Sequence, residues 1–299
     1  MLKQKLVDNI VFMLENQGYT TCRYNGCFDI VAKKNKILLI KVLQNVDSIL
    51  QDHANNLNIV ANNLGGDPLI VGEQTRREKL KRGIVYERFG TPTVSIDTFN
   101  DLIINGIFPK MYRHRGGLYV EIDSDVLKDA RKGKGMTQRE LAEAVGINKK
   151  VIYEHEKHQI RMMMSIAEKL EDILNKKITK PAEMFKDHEI RGSPKDPLEK
   201  SVGSELTKLG FKVDYAKYSP IDVFAREKSL IVSDVEINRK KLKKRAEDLK
   251  NISSVTENPA VLITDKKKED IEGLAVLDRS ELKEIEKSKE LIKILKKSK

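Results

Sequence analysis

The stretch 136–157, MTQRELAEAVGINKKVIYEHEK, admits few backbone paths. Thr137-Gln138-Arg139-Glu140 has capping-box spacing, in which the Thr hydroxyl and the Glu carboxylate each satisfy a backbone N–H left open where a helix starts. A helix begun there turns Leu141, Ala142 and Val145 to one side. Ala142 must be small for a second helix to come close. Gly146 suits a left-handed turn position that other residues enter at a cost. Ile147 plugs the turn, and Asn148 is a favoured N-cap for a helix that follows at once. Val151 and Ile152 of that helix point inward, which leaves its other side polar.

The surroundings read the same way, so the whole of 123–186 is expected to be helical. A helix over 125–131 places Val126, Leu127 and Ala130 on one face and breaks at Gly133 and Gly135. With no strand before it, that Gly-x-Gly is a turn and not a phosphate loop. A further helix over 161–174 closes the bundle through Ile166, Ala167, Leu170 and Ile173, with Met162–Met164 read as packing. His155 and His158 form H-E-x-H, one residue short of the spacing that puts both imidazoles on one helix face, so no metal is expected there.

These residues closely resemble the Cro/CI-type helix-turn-helix of repressors and regulators. The Thr-Gln-x-Glu-Leu-Ala start, the Gly-Ile turn and the late Glu156 carry the match; Lys157-His158 departs from it, since many members have Gly after the Glu. The resemblance implies binding to double-stranded DNA in the major groove. Carried over position by position, it implies that Gln138 touches phosphate and braces the recognition helix. It also implies that Asn148, Lys149 and Lys150 open that helix against base edges or phosphate, with Tyr153 and Glu154 one turn on.

The segments on either side resemble each other. Residues 1–110 are expected to run helix (2–16), strands (19–24, 28–32, 36–43), long helix (48–64), strands (68–71, 84–89) and short helix (96–104). Residues 196–299 repeat the order: helix (198–209), strands (212–218, 221–225, 230–237), basic helix (239–253), strands (260–264, 275–277) and a helix from Ser280. FDIVAKKNKILLIKVLQN lies over IDVFAREKSLIVSDVEIN without a gap, matching Asp29 to Asp222, Ala32 to Ala225 and Asn45 to Asn238. DPLIV at 67–71 is laid over NPAVL at 258–262.

That order is similar to the restriction-endonuclease-like fold, including archaeal Holliday-junction resolvases. Active members carry an Asp at one strand end and Glu-x-Lys on the next strand, where the carboxylates hold a divalent metal. Here Asp29 and Lys41 keep two positions, and Leu39 replaces the acid. The second copy keeps Asp222, but Val232 replaces the acid and Asp234 the Lys. Glu15 and Glu205 are the acids the first helices offer. One carboxylate is a poor clamp for a hard cation, so both copies are expected to be scaffolds and not enzymes.

The expected architecture is α/β with a central all-α domain, a helix-turn-helix bundle (123–186) between two repeated restriction-endonuclease-like domains (1–110 and 196–299). The formal net charge of +11 favours a polyanionic partner. With no Trp and few other aromatics, a platform that stacks single-stranded bases is not expected. Cys22 and Cys27 lack a second ligand pair and read as two reduced thiols. The basic run 110–115 reads as an arm on DNA or a hinge, and 188–197 as a linker. Heavy use of Lys, Glu and Ile hints at a thermophilic source. No apolar run spans a membrane, and the N-terminus is not a signal peptide.

The sequence therefore points to a cytoplasmic, sequence-specific DNA-binding transcriptional regulator, archaeal and homodimeric, without metal or cofactor. The flanking domains would supply dimer contacts, added basic surface or a regulatory face. The alternatives are a structure-selective nuclease using Asp29, Lys41 and magnesium, and a module that docks on the transcription machinery.

Overall fold

The computed structural model describes residues 2–115, 117–185, 190–235, 239–265, 271 and 273–297. The N-terminal half runs α1 (Leu2–Asn16), β1 (Thr20–Arg23), β2 (Ile30–Lys33), β3 (Ile37–Asn45), α2 (Gln51–Leu64), β4 (Asp67–Gln74), β5 (Ile84–Arg88), β6 (Thr91–Ser95) and α3 (Ile96–Asn105). A hairpin, β7 (Met111–His114) and β8 (Gly117–Ile122), follows. The middle holds α4 (Ser124–Gly133), α5 (Gln138–Val145), α6 (Lys149–Lys157), β9 (Met162–Met163), α7 (Met164–Leu174) and β10 (Thr179–Lys180). The last part is α8 (Pro197–Lys208), β11 (Lys212–Tyr215), β12 (Val223–Arg226), β13 (Leu230–Val235), α9 (Arg239–Thr256), β14 (Ala260–Thr264), β15 (Ala275–Asp278), α10 (Arg279–Glu284) and α11 (Ser288–Lys297).

In each half the three strands after the first helix pair antiparallel, and the strand after the long helix adds in parallel. β3 is buried from Ile37 through Val42, as a strand covered on both faces must be. The repeat holds in register: Ile30 pairs Ile40 and Val31 pairs Leu39, while Val223 pairs Ser233 and Phe224 pairs Val232, each a match of the laid-over positions. Asn238, and the strand end at 236–237, lie outside the described residues.

One overlay needs correcting. Leu39 pairs Pro68, and its counterpart Val232 pairs Ala260, so DPLIV is shifted by one against NPAVL. Side chains alternate across a strand, and a one-residue slip exchanges faces. The corrected overlay puts Ile70 and Leu262 in one core, with Leu69 and Val261 on the opposite faces.

Three further expectations change. Strand β6 was missed, because Pro92 breaks the apolar run; it pairs β4 on one side and β5 on the other. The run 110–115 is neither arm nor hinge but strand β7, which pairs β5 and carries the sheet on to β8. The bundle is helical, yet β9 and β10 both pair β8, so α7 starts at Met164 and not at 161. The N-terminal sheet thus continues to the middle of the chain, with ten strands against five in the second sheet among the described residues. The expected linker keeps 190–197 within the described residues; 188–189, and the domain end at Lys186, lie outside them.

The two α/β halves share one core. Phe28, Leu39 and Leu57 of the first meet Phe224, Val232 and Leu249 of the second in a continuous buried cluster. The contact is two-fold in kind. Lys33 Nζ donates to the carbonyl of Thr256 at the end of α9, and its counterpart Arg226 donates to the carbonyl of Asn63 near the end of α2. Each cation meets the negative end of the other half's helix. Asn56 Oδ1 accepts from the Lys217 N–H at 2.6 Å, and Asn63 Nδ2 donates to Asp214 at 2.8 Å.

Candidate nucleic-acid interface

The capping box at Thr137 forms in full: Thr137 Oγ1 accepts from Glu140 N–H, and Glu140 Oε2 accepts from Thr137 N–H. Gly146 takes the turn at φ 79°, where its N–H closes α5. Asn148 caps α6 by accepting from Lys150 N–H at 2.8 Å. Leu141, Ala142, Val145 and Ile152 are buried with Leu127, Leu170 and the β8 residues Val120 and Ile122. The apolar spacing thus fixes which side of α6 is hidden.

The other side is open. Asn148, Lys149 and Lys150 are exposed, and Tyr153 is 42% exposed. Glu154 is half-buried beside His158 at 3.7 Å, and the Tyr153 hydroxyl accepts from Lys157 Nζ at 3.1 Å. Gln138 stands apart at the head of α5, where its Nε2 donates to Glu156 Oε2 at 2.8 Å. Five of the six expected site residues therefore share α6 and its cap, and Gln138 is tied to the last turn of the same helix.

The sequence reading missed what holds α6. Arg131 donates from Nε and Nη2 to the two oxygens of Glu156 at 2.6 and 2.9 Å, and from Nη1 to the Met136 carbonyl. Burial pulls the Glu156 carboxyl up; the bonds from Arg131 and Gln138 outweigh it and hold the group below its ordinary value. Arg131 follows Leu127 by four, on the inward face, and a cation there was the available signal. After α6, Arg161 lies 3.4 Å over the Tyr112 ring, whose hydroxyl donates to Glu121 at 2.8 Å. The exit from α6 is fastened to the β7–β8 hairpin.

The positions laid over the nuclease acids hold cations. Asp29 Oδ1 accepts from Lys3 Nζ at 2.8 Å and Lys41 Nζ at 3.3 Å, and Oδ2 accepts from Val42 N–H. In the second half Arg245 bridges Asp222 and Asp234, and Lys195 bridges Asp222 at 2.9 Å and Glu199 at 2.5 Å. Burial, reinforced by Asp222, pushes Asp234 up, with Arg245 opposing. Leu39 and Val232 are fully buried between the halves. This donor set fits a divalent metal poorly: Asp29 Oδ1, Asp222 Oδ2 and both Asp234 oxygens already serve ammonium or guanidinium groups, and Asp29 Oδ2 and Glu199 Oε2 serve backbone N–H groups. Among the described residues no cluster of three or more His, Cys, Asp or Glu is placed to hold a metal ion. Among them, too, no helix is long and apolar enough to cross a membrane.

Comparison with known proteins gives two family matches and a set of relatives. Residues 3–109 match the PD-(D/E)XK superfamily domain, and residues 127–180 match the helix-turn-helix family. A protein of Methanobrevibacter smithii is 32% identical across 99% of this chain and 98% of its own length. One of Archaeoglobus fulgidus is 31% identical across 97% of each, and one of Methanothermobacter thermautotrophicus 30% identical across 98% and 96%. All three are named as HTH-type transcriptional regulatory proteins, a name of type and not of measured activity. With both matched domains in place and likeness running end to end, the chain belongs to this archaeal family of HTH-type transcriptional regulatory proteins.

Proposed function

We propose that the chain is a sequence-specific regulator that sets α6 in the major groove of double-stranded DNA. The observation that supports it most is the two-sided character of α6: its inner face is locked by Arg131–Glu156, while Lys149, Lys150 and Tyr153 face solvent. Lys149 and Lys150 contact guanine edges or phosphate at the helix start. Asn148 fixes where the helix begins, Gln138 bridges Glu156 and the DNA backbone, and Tyr153 and Glu154 act one turn on. A homodimer would place two such helices about 34–36 Å apart. The faces where the α/β halves meet are buried within one chain, so the contact between chains falls elsewhere. The protein works in the cytoplasm, on the chromosome.

The α/β halves act as scaffold and not as nuclease. What supports this is Asp29 and Asp222 held by Lys3, Lys41, Lys195 and Arg245, with Leu39 and Val232 where an acid is needed. Selection from random oligonucleotides tests the main reading. The protein is expected to enrich one motif, and Lys149→Ala with Lys150→Ala to lose it. A motif that persists in the double variant defeats the site assignment. No motif at all, with a shallow salt dependence, favours docking on the transcription machinery. Magnesium-dependent cutting lost in Asp29→Ala overturns the scaffold reading.

A further inference from the structure

An open cleft of about 740 Å³ lies on the N-terminal half, between the β4–β5 turn and the β7–β8 hairpin. It is apart from α6 and from the remnant nuclease positions. Arg76 and Arg77 stand on a tight turn: Thr75 Oγ1 accepts from the N–H of Arg77 at 3.1 Å and of Glu78 at 3.0 Å. Asp47 pins that turn through Arg76 N–H at 2.9 Å and holds Arg88 by an ion pair of 2.6 Å. On the opposite wall Arg113 reaches Glu78 at 3.8 Å, and Arg115 is exposed. Among the described residues no carboxylate lies within 4 Å of the guanidinium groups of Arg76, Arg77 or Arg115, although Arg76 acts on Asp47 at longer range. The five arginines that line the cleft outnumber its three carboxylates, Asp47, Glu78 and Glu87. The arginines offer paired N–H groups whose geometry matches phosphate oxygens.

A second observation concerns the same cleft. Phe89 lines it with φ at 49°, a left-handed conformation that a bulky side chain adopts only under constraint. Phe89 is 47% exposed. The turn holds an aromatic face out of the core, beside the arginines. A single ring accommodates one base and not a stacked row.

We propose that this cleft binds a nucleotide, its phosphates on Arg76, Arg77 and Arg115 and its base against Phe89. The nucleotide comes either free or as one unit of a nucleic-acid strand, and the two sources share this chemistry. The site is independent of the α6 reading.

Titration of the full chain distinguishes the sources. The probes are adenosine triphosphate, inorganic triphosphate and a single-stranded oligodeoxyadenylate, in the Lys149→Ala, Lys150→Ala background so that binding through α6 does not count. Arg77→Ala with Arg115→Ala is expected to weaken binding at least about tenfold while leaving thermal unfolding unchanged. Phe89→Gly, which relieves the turn, is expected to weaken the triphosphate nucleoside or the oligonucleotide but not inorganic triphosphate; Phe89→Asn repeats the test with a residue that tolerates the same φ. Binding of adenosine triphosphate alone assigns a free nucleotide, and binding of the oligonucleotide alone a strand. Absence of binding for every probe at millimolar concentration overturns the proposal, as do variants that bind like the parent. An arginine-dependent site indifferent to Phe89 overturns the nucleotide assignment.

Discussion

The backbone N–H of Cys27 donates to the carbonyl oxygen of Tyr218 at 2.7 Å, tying the two α/β halves where their first strand-to-strand loops meet. The close approach depends on Gly26, where an added Cβ would lie 2.0 Å from that same oxygen and 2.4 Å from the Tyr24 ring. Backbone cannot yield cheaply on either side. Gly26→Ala is therefore expected to prise the halves apart and cost about 1–3 kcal/mol in chemical unfolding. Amide exchange at Cys27 should accelerate, while the bundle, which has its own core, stays protected. An unchanged unfolding midpoint would show that the shared core tolerates the shift.

The Asp29–Lys41 pair makes a separate prediction. Lys41 is buried, and burial lowers its affinity for a proton while Asp29 opposes that pull. Asp29→Asn keeps an acceptor for Val42 N–H but leaves Lys41 without a countercharge. Removing one partner of such a pair costs about 3–5 kcal/mol. Adding Lys41→Met should restore most of the loss, because an apolar side chain of similar length needs no partner there. Urea unfolding of the single and double variants checks this; an Asp29→Asn protein as stable as its parent would contradict it.

Glu156 should behave as the lock of α6. Glu156→Ala strands Arg131 and frees Gln138, with an expected loss of about 3 kcal/mol from the bundle. DNA affinity should fall even though Glu156 is not on the exposed face. Arg131→Met combined with Glu156→Leu separates packing from charge: recovery of stability and DNA binding together would place the role of the pair in positioning α6. Recovery of stability with binding still lost would assign Glu156, through Gln138, a part in contacting the duplex.

The helix-turn-helix was legible because its constraints are local. Thr137, Glu140, Gly146 and Asn148 each fix a backbone position within a few residues, and the structure uses all four as expected. The repeat was legible from Asp29 and Ala32, which recur as Asp222 and Ala225 at fixed spacing, and failed by one residue at 67–71, where an apolar run on a strand buried on both faces carries no phase. The β6 strand and the 111–122 hairpin were hidden for another reason. Pro92 and the basic run look like loop residues, and only long-range pairing with β4 and β5 makes them strands. Lys3, Lys195 and Arg245 on the remnant acids come from other helices or loops, and no local spacing points to them.

His155 lies in α6 on its buried side, with one hydrogen bond to the backbone of Ile160 and no partner on Nδ1. Burial holds it below the ordinary histidine value of 6.5, against the opposing influence of Ile160 and Glu154. The folded chain thus binds this proton less readily than the unfolded chain does. Stability is complete above 6.5 and is lost as the pH falls below it toward the folded-state value. His53, stacked 4.3 Å from Tyr218 between the halves, is shifted the same way by burial and by Lys41, so it must be separated. The two histidines should weaken the protein at about pH 5.5 relative to about pH 7.5, spanning the ordinary histidine range, against the opposite contribution of the raised Asp234 carboxyl. His155→Leu should narrow that gap and, by removing an unpaired buried nitrogen, leave stability at the higher pH equal or raised by about 1 kcal/mol. His53→Phe keeps the stack and removes the other titration. If the gap survives His155→Leu and closes in His53→Phe, the acid sensitivity belongs to the contact between the halves and not to the recognition helix.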